Sequence, residues 1–171
     1  MEDLSRYIRD VPDFPKKGIL FRDITTLLRD PAAFRAAVDR IVAPFRADRI
    51  DLVMGVESRG FIFGGVIACD LGVGFVPVRK PGKLPAETLK EEYALEYGTD
   101  AVEIHRDAIQ PGQRVLAVDD LLATGGTMQA ACRLIEELDG EVVGIGFLIE
   151  LLDLKGREKL EGYNVHAVIQ Y

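Results

Sequence analysis

Residues 115–127, VLAVDDLLATGGT, decide the fold. The apolar run reads as a β-strand that ends in two adjacent carboxylates, Asp119 and Asp120. Ala123, Thr124, Gly125, Gly126 and Thr127 form a short loop, and a helical pattern follows from about Thr127 to Leu138, closed by Gly140. Strand, glycine-rich turn and helix in that order make one step of an α/β sheet, where ligands gather at the carboxyl ends of the strands. The backbone N–H groups of such a loop, backed by the positive end of a helix dipole, suit a phosphate. Thr124 and Thr127 add hydroxyl donors.

Two carboxylates directly before an anion cradle would repel a bare phosphate. They make sense if the ligand brings other groups there: ribose hydroxyls donate to carboxylates, and Mg²⁺ takes carboxylate oxygens together with phosphate and water. A sugar with a 5-phosphate at the helix and two hydroxyls at Asp119 and Asp120 satisfies both halves. An acid pair alone could be a solvated surface feature. Joined to a Gly-Gly loop flanked by Thr, between strand and helix, it reads as a site. Other phosphate motifs fail: no Lys follows Gly126 as a Walker A loop requires, and Gly72-Val73-Gly74 lacks the third glycine of a dinucleotide fingerprint.

Outward from this stretch the same rhythm recurs. DLVMGV (51–56) reads as a strand, followed by Glu57-Ser58-Arg59-Gly60 and a helical pattern ending at Leu71-Gly72, a natural C-cap. FVPV (75–78) and VVGIGFLIEL (142–151) read as further strands. Asp30-Pro31 signals a helix start, with Phe34, Val38, Ile41, Val42 and Phe45 on one face and an end near Arg46. A short N-terminal helix is suggested by Leu4, Tyr7 and Ile8. Strand–helix alternation of this kind predicts a parallel sheet with helices on both faces. Residues 80–92 break the rhythm as a polar loop, and YALEY and AVEIH read as a hairpin about the turn Gly98-Thr99-Asp100. Such a loop feeding a hairpin is often a functional lid.

The 171 residues fit one domain, with no internal repeat. A composition 48% hydrophobic and 29% charged sets aside disorder, and a formal net charge of -7 disfavours a general nucleic-acid binder. Cys69 and Cys132 are far apart and read as two buried thiols of a reducing compartment. No apolar run approaches the roughly 20 residues of a membrane span, and the first residues carry no apolar secretory core. The expectation is a soluble cytoplasmic protein.

FPKKGILFRDIT (14–25), ESRGFIFG (57–64), RKPGKLP (79–85), LEYG (95–98), DDLLATGGTM (119–128) and LKGREKL (154–160) occur in that order. Together they resemble the type I phosphoribosyltransferases, and FRDIT with LEYG resembles their adenine-using branch. The resemblance runs from about Phe14 to near the end of the chain. It implies the type I phosphoribosyltransferase fold, α/β with a central mostly parallel sheet flanked by helices. A small hood from the N-terminal region (about residues 1–30) and a flexible hairpin lid would complete a single domain spanning 1–171. It also implies transfer of a 5-phosphoribosyl group from phosphoribosyl diphosphate to adenine, giving AMP and pyrophosphate, with Mg²⁺ as cofactor and a homodimer as the assembly.

On this resemblance, Asp119, Asp120 and the loop Ala123, Thr124, Gly125, Gly126, Thr127 bind the phosphoribosyl group. Ser58, Arg59, Arg79, Lys80 and Lys83 contact pyrophosphate, aided by a non-proline cis peptide near Glu57-Ser58. Arg suits that task because its planar fork meets phosphate oxygens in pairs. Phe21 stacks on adenine while backbone groups of Leu20 and Arg22 read its edge. Glu96 is the acid–base residue, Tyr97 helps position the lid, and Mg²⁺ is held mainly by substrate and water near Asp119 and Asp120. Pro81 stands where many relatives carry a basic residue, Ala94 where some have Ser, and Glu57 where some have Asp. His105 and His166 lie outside every matched motif and read as structural strand residues. Two other functions stay open: a transferase for another purine such as xanthine, and a non-catalytic sensor of phosphoribosyl diphosphate. The chain has no basic appendage of the kind a nucleic-acid regulator carries.

Overall fold

The computed structural model describes residues 3–95 and 98–171. The chain divides into two compact units, Met1–Arg40 and Ile41–Tyr171.

In the first unit a 3₁₀ turn, Leu4–Tyr7, is capped by Asp3, whose Oδ1 accepts from the Ser5 amide at 3.0 Å. Strands β1 (Arg9–Pro12) and β2 (Leu20–Asp23) pair antiparallel, from Arg9↔Asp23 to Pro12↔Leu20. The Thr25 amide, then the Arg9 guanidinium, hold the Asp23 carboxyl down at about 2. A short helix α1 (Thr25–Arg29) leads to α2 (Pro31–Val42). Asp30 caps α2 as predicted, its Oδ1 accepting from the amides of Ala32 and Ala33 at 3.0 and 2.9 Å. The helix ends at Val42, before the expected Arg46. Pro44 cannot donate the next helical hydrogen bond, and a 3₁₀ turn, Ala43–Phe45, replaces it.

The second unit is built on five strands: β3 (Leu52–Val56), β4 (Gly74–Val78), β7 (Arg114–Leu122), β8 (Glu141–Glu150) and β9 (Val165–Gln170). They lie in the order β4-β3-β7-β8-β9, and every neighbouring pair is parallel. Alternate side chains sort to opposite faces. Met54, Val56, Val115, Ala117, Ile145 and Phe147 share one core with Met128, Ala131, Cys132, Leu134 and Ile135 of helix α4 (Gly126–Glu137). Each fully buried Leu, Ile or Met there contributes about 1.5–3 kcal/mol. On the other face Gly55 meets helix α3 (Gly60–Leu71): a Cβ on Gly55 or on Gly64 would stand 2.8 Å from the Phe75 ring. The glycines of β8 are likewise filled, Gly144 by Phe45 and Gly146 by Ile41. Helices therefore cover both faces, as the alternation predicted.

Several strand expectations are corrected. Strand β7 does not stop at the acids but runs on to Leu122, because β8 keeps pairing with it as far as Leu122↔Glu150. Residues 88–92 are not loop. Thr88–Ala94 is strand β5, paired with β6 (Thr99–His105) from Thr88↔His105 to Ala94↔Thr99. Leu89 and Tyr93 point inward at a spacing of four while Lys90 and Glu92 face solvent. Thr99 and Asp100, expected in the turn, belong to β6. An antiparallel bridge, Arg79↔Glu103, ties this hairpin to the end of β4.

Cys69 is exposed, not buried. The inward face of α3 is set by Gly60, Phe63, Gly64, Ile67 and Ala68, and Cys69 falls off it. Cys132 is buried, and that burial pushes its thiol up. His105 and His166 both sit on strands, β6 and β9. Among the described residues no helix is long and apolar enough to cross a membrane.

Candidate active site

The site lies where β7 ends between two helix N-termini. Among the described residues no side chain caps α4: its N-cap is Gly125, left-handed at φ 79°, so the first N–H groups of the helix have no side-chain cap there. A cavity of about 80 Å³ opens beside it, lined by Asp119, Thr124, Gly125, Thr127, Met128 and Phe147 among others. Such an N-terminus is a ready anion site. No side chain caps α3 either, and its first residues follow Ser58 and Arg59.

The loop before α4 is held by backbone packing. A Cβ on Gly125 would stand 2.3 Å from the Gly156 carbonyl oxygen, and one on Gly156 would stand 2.3 Å from the Ala123 oxygen. Neither contact tolerates a side chain, so two glycines 31 positions apart lock the loop. Gly156 is placed in turn by Arg157, whose Nε and Nη2 grip the two oxygens of buried Glu150 at 2.6 and 2.8 Å. Gln170 donates to the same carboxylate at 2.9 Å. This bidentate pair pins LKGREKL to the ends of β8 and β9. Gly60 plays a similar part: its Cβ would fall 2.8 Å from Asp119 Oδ1. Sequence reading missed Gly60, Gly156, Arg157 and Glu150 as supports. Only the quoted motifs ESRGFIFG and LKGREKL carried any signal of them.

Asp119 and Asp120 stand together. The Asp120 amide donates to Asp119 Oδ1 at 2.8 Å, and Arg59 Nε donates to Asp120 Oδ2 at 2.6 Å. Desolvation, then the neighbouring Asp120 charge, push the Asp119 carboxyl well above the usual carboxylate range. Ionising both acids would place more negative charge here than Arg59 offsets, and hydroxyl donors or a cation would relieve it. Among the described residues no three His, Cys, Asp or Glu side chains cluster to hold a metal.

Arg79 and Lys80 are also neutralised from within. Arg79 Nε donates to Glu57 Oε2 at 2.9 Å, and its guanidinium lies 5.9 Å from the Phe61 ring centroid. Glu57 Oε1 accepts from the Lys80 amide at 2.6 Å. Burial works to raise the Glu57 carboxyl, but these hydrogen bonds outweigh it and hold it below its ordinary value. Lys80 Nζ pairs with Asp100 and donates to the Tyr93 hydroxyl at 2.8 Å. Arg79 Nη1 reaches the Lys83 carbonyl at 3.3 Å, bringing Lys83 into the same turn. The Glu57–Ser58 peptide is cis, as the resemblance implied.

Arg59, Asp119, Asp120 and the 123–127 loop are thus one cluster, and Glu57, Arg79, Lys80 and Lys83 a second one. Glu96 and Tyr97 lie outside the described residues. Leu20, Phe21 and Arg22 sit on β2 of the first unit. There Phe21 meets Phe14 edge-on, centroids 5.2 Å apart, and Arg22 pairs with Asp10. Among the described residues β2 pairs with β1 alone, in a two-stranded sheet.

The phosphoribosyl transferase domain family matches residues 24–168. An adenine phosphoribosyltransferase of Halothermothrix orenii is 59% identical over 168 residues, covering 98% of this chain and 99% of that protein. The crystal structure of adenine phosphoribosyltransferase from Thermoanaerobacter pseudethanolicus superposes with a TM-score of 0.95 at 55% identity, covering 98% of each chain. The Saccharomyces cerevisiae enzyme, complexed with adenine and an imino-altritol bisphosphate, superposes with a TM-score of 0.91 at 44% identity, covering 96% of each.

Proposed function

Since this chain belongs to the phosphoribosyl transferase family, we propose as its reaction the transfer of a 5-phosphoribosyl group from phosphoribosyl diphosphate to adenine. The products are AMP and pyrophosphate, and the protein is a pentosyltransferase. The observation that carries the reading is the acid pair Asp119-Asp120 set beside the uncapped N-terminus of α4. A ligand with alcohols at one end of that span and a phosphate at the other answers both.

C1 of the ribose exchanges a pyrophosphate oxygen for a purine nitrogen, through a transition state with oxocarbenium character as in glycoside hydrolysis. The loop 123–127 holds the 5-phosphate through backbone N–H groups and the Thr124 and Thr127 hydroxyls. Asp119 and Asp120 accept from the ribose hydroxyls. Ser58, Arg59, Arg79, Lys80 and Lys83 take up the charge developing on pyrophosphate, where preformed donors lower the barrier most. Arg79 and Lys80 leave Glu57 and Asp100 to do so. Phe21 stacks on adenine, and main-chain groups of Leu20 and Arg22 read its edge. Glu96 manages the imidazole proton, Tyr97 steadies the hairpin, and closure of the hairpin excludes competing water.

Mg²⁺ fits the donor set as an ion held mainly by substrate oxygens and water. Two adjacent acids, one already paired with Arg59, do not make a protein cage, and Mg²⁺ keeps its waters readily. When bound it spreads the negative charge of the leaving pyrophosphate. The N-terminal residues to about 30 form the base hood of one functional domain, and the protein works as a cytoplasmic homodimer. Free Cys69 and Cys132 suit a reducing compartment.

The test offers the purified protein Mg²⁺, phosphoribosyl diphosphate and, separately, adenine, hypoxanthine, guanine and xanthine. AMP from adenine alone is expected. Formation of a different nucleotide in preference to AMP would reassign the base, and ligand binding without turnover of any base would make the protein a sensor.

A further inference from the structure

The first unit holds a second cationic concavity. A cavity of about 400 Å³ is lined by Arg6, Arg9 and Arg29, with Tyr7, Ile8 and Thr26 on its walls and Asp30 and Pro31 at the start of α2. Three guanidinium groups around one hollow are unexpected in a chain whose net charge is -7. Like charges repel unless something negative sits among them.

The local carboxylates offset part of this charge but are bonded elsewhere or to Arg9 alone. Asp23 is bound to Arg9 and to Thr25, and Asp30 Oδ1 is engaged by the amides that start α2. Asp3 lies within electrostatic reach of Arg6, but its Oδ1 accepts from the amide and hydroxyl of Ser5. Among the described residues, the side chains of Arg6 and Arg29 make no hydrogen bond or ion pair. The Thr26 hydroxyl is spent on the Tyr7 carbonyl at 2.6 Å, which fixes one wall.

We propose that the Arg6–Arg9–Arg29 hollow is a binding site for a phosphate dianion, separate from the loop at 123–127. Phosphate matches it better than a carboxylate. It offers three oxygens to the forks of Arg6 and Arg29, each of which can engage two of them, beside an Arg9 already held by Asp23. The cavity volume lies in the range of small-molecule sites, and Tyr7 and Ile8 give it an apolar side. The phosphate can therefore be free or carried by a nucleotide.

Crystals of the parent protein soaked separately in inorganic phosphate and in AMP distinguish those sources and show the two phosphate sites apart. Titration calorimetry with the same two ligands at low ionic strength tests them in solution. It compares the parent, the double variant Arg6→Gln/Arg29→Gln and the single variant Arg29→Lys. Density at the hollow is expected in at least one soak. The matching solution affinity should be better than about 1 mM. It should weaken about tenfold or more in the double variant and by a smaller factor in Arg29→Lys, which keeps the charge but loses the fork. A parent-like unfolding temperature and circular-dichroism spectrum show that the double variant is folded. Density for inorganic phosphate alone identifies the free anion, and density for AMP with its base against Tyr7 identifies a nucleotide; both support the site. An empty hollow in both soaks, or a folded double variant that binds both ligands as the parent does, overturns it.

Discussion

The loop at 123–126 and the cationic turn at 79–83 are assigned here to opposite ends of one substrate, and they are held in opposite ways. The loop is fixed by main chain against main chain, Gly125 over Gly156 and Gly156 under Ala123, with no room for a single carbon. The turn is held by side-chain charge: Arg79 on Glu57, Lys80 on Asp100. Main-chain packing has one arrangement and no substitute partner. Ion pairs between half-exposed groups exchange easily, because water and salt screen them. The loop is therefore suited to bind a group that stays on the sugar throughout, and the turn to a group that arrives with the substrate and must leave.

The largest expected effect falls on the hairpin side. Glu96→Ala should lower turnover by about 10²–10⁴-fold, the usual contribution of a positioned acid–base group, while phosphoribosyl diphosphate affinity stays nearly unchanged. Single-turnover kinetics beside equilibrium binding check it. A collapse of affinity with turnover intact would move Glu96 out of the chemistry and into binding.

On the loop side Gly156→Ala should act in the reverse sense. The residue contacts no assigned ligand, yet its new Cβ must displace the Ala123 carbonyl and the Leu122 side chain. We expect a loss of about 2–4 kcal/mol in stability, and a fall of about a hundredfold in kcat/KM for phosphoribosyl diphosphate from the displaced loop. Thermal unfolding with steady-state kinetics reads both. A stable variant with parent-like kinetics would show that the loop has a second arrangement, and the contrast with the turn would fail.

These two positions also mark how much was legible in advance. Strand, acid pair, glycine loop and helix were all readable at 115–127, because periodicity, charge and glycine are local signals. Gly156 and Gly60 were not, since close approach between distant segments leaves no local trace beyond a glycine that could as well mark a turn. Strand β5 was hidden because three of its five residues at 88–92 are charged. Its inward positions, Leu89 and Tyr93, are separated by Glu91, so the two-residue alternation was interrupted. The pairing of Asp120 with Arg59 and of Glu57 with Arg79 depends on tertiary placement, and residue types alone could not supply it.

Asp119→Asn tests the floor between the two regions. The ionised Asp119 is raised by desolvation and by Asp120, so in the unliganded protein it opposes folding. Below the unfolded carboxylate value both states hold the proton and nothing is lost. As pH rises above it, the unfolded chain releases the proton first and stability falls. The variant should unfold at a higher temperature than the parent at pH 7, flatten that part of the stability–pH curve, and still lose about 10–100-fold in kcat/KM for the sugar phosphate. A variant that is both more stable and fully active would remove Asp119 from the ribose site.

The smallest effect is the most discriminating. Lys80 is held by Asp100 and Tyr93, and burial, which lowers its ammonium, is outweighed by those bonds. If Lys80 must leave Asp100 to meet pyrophosphate, part of the binding energy is spent on that exchange. Asp100→Asn keeps a side-chain acceptor for the Ala101 amide and removes the charge. Breaking a pair this exposed is worth about 0.2–1 kcal/mol. KM for phosphoribosyl diphosphate should therefore fall, by no more than about fivefold, with kcat unchanged and the gain shrinking in high salt. An unchanged KM at low salt would mean that Lys80 stays on the hairpin. Its charge would then belong to the fold, leaving Arg79 and Lys83 to meet pyrophosphate from the 79–83 turn.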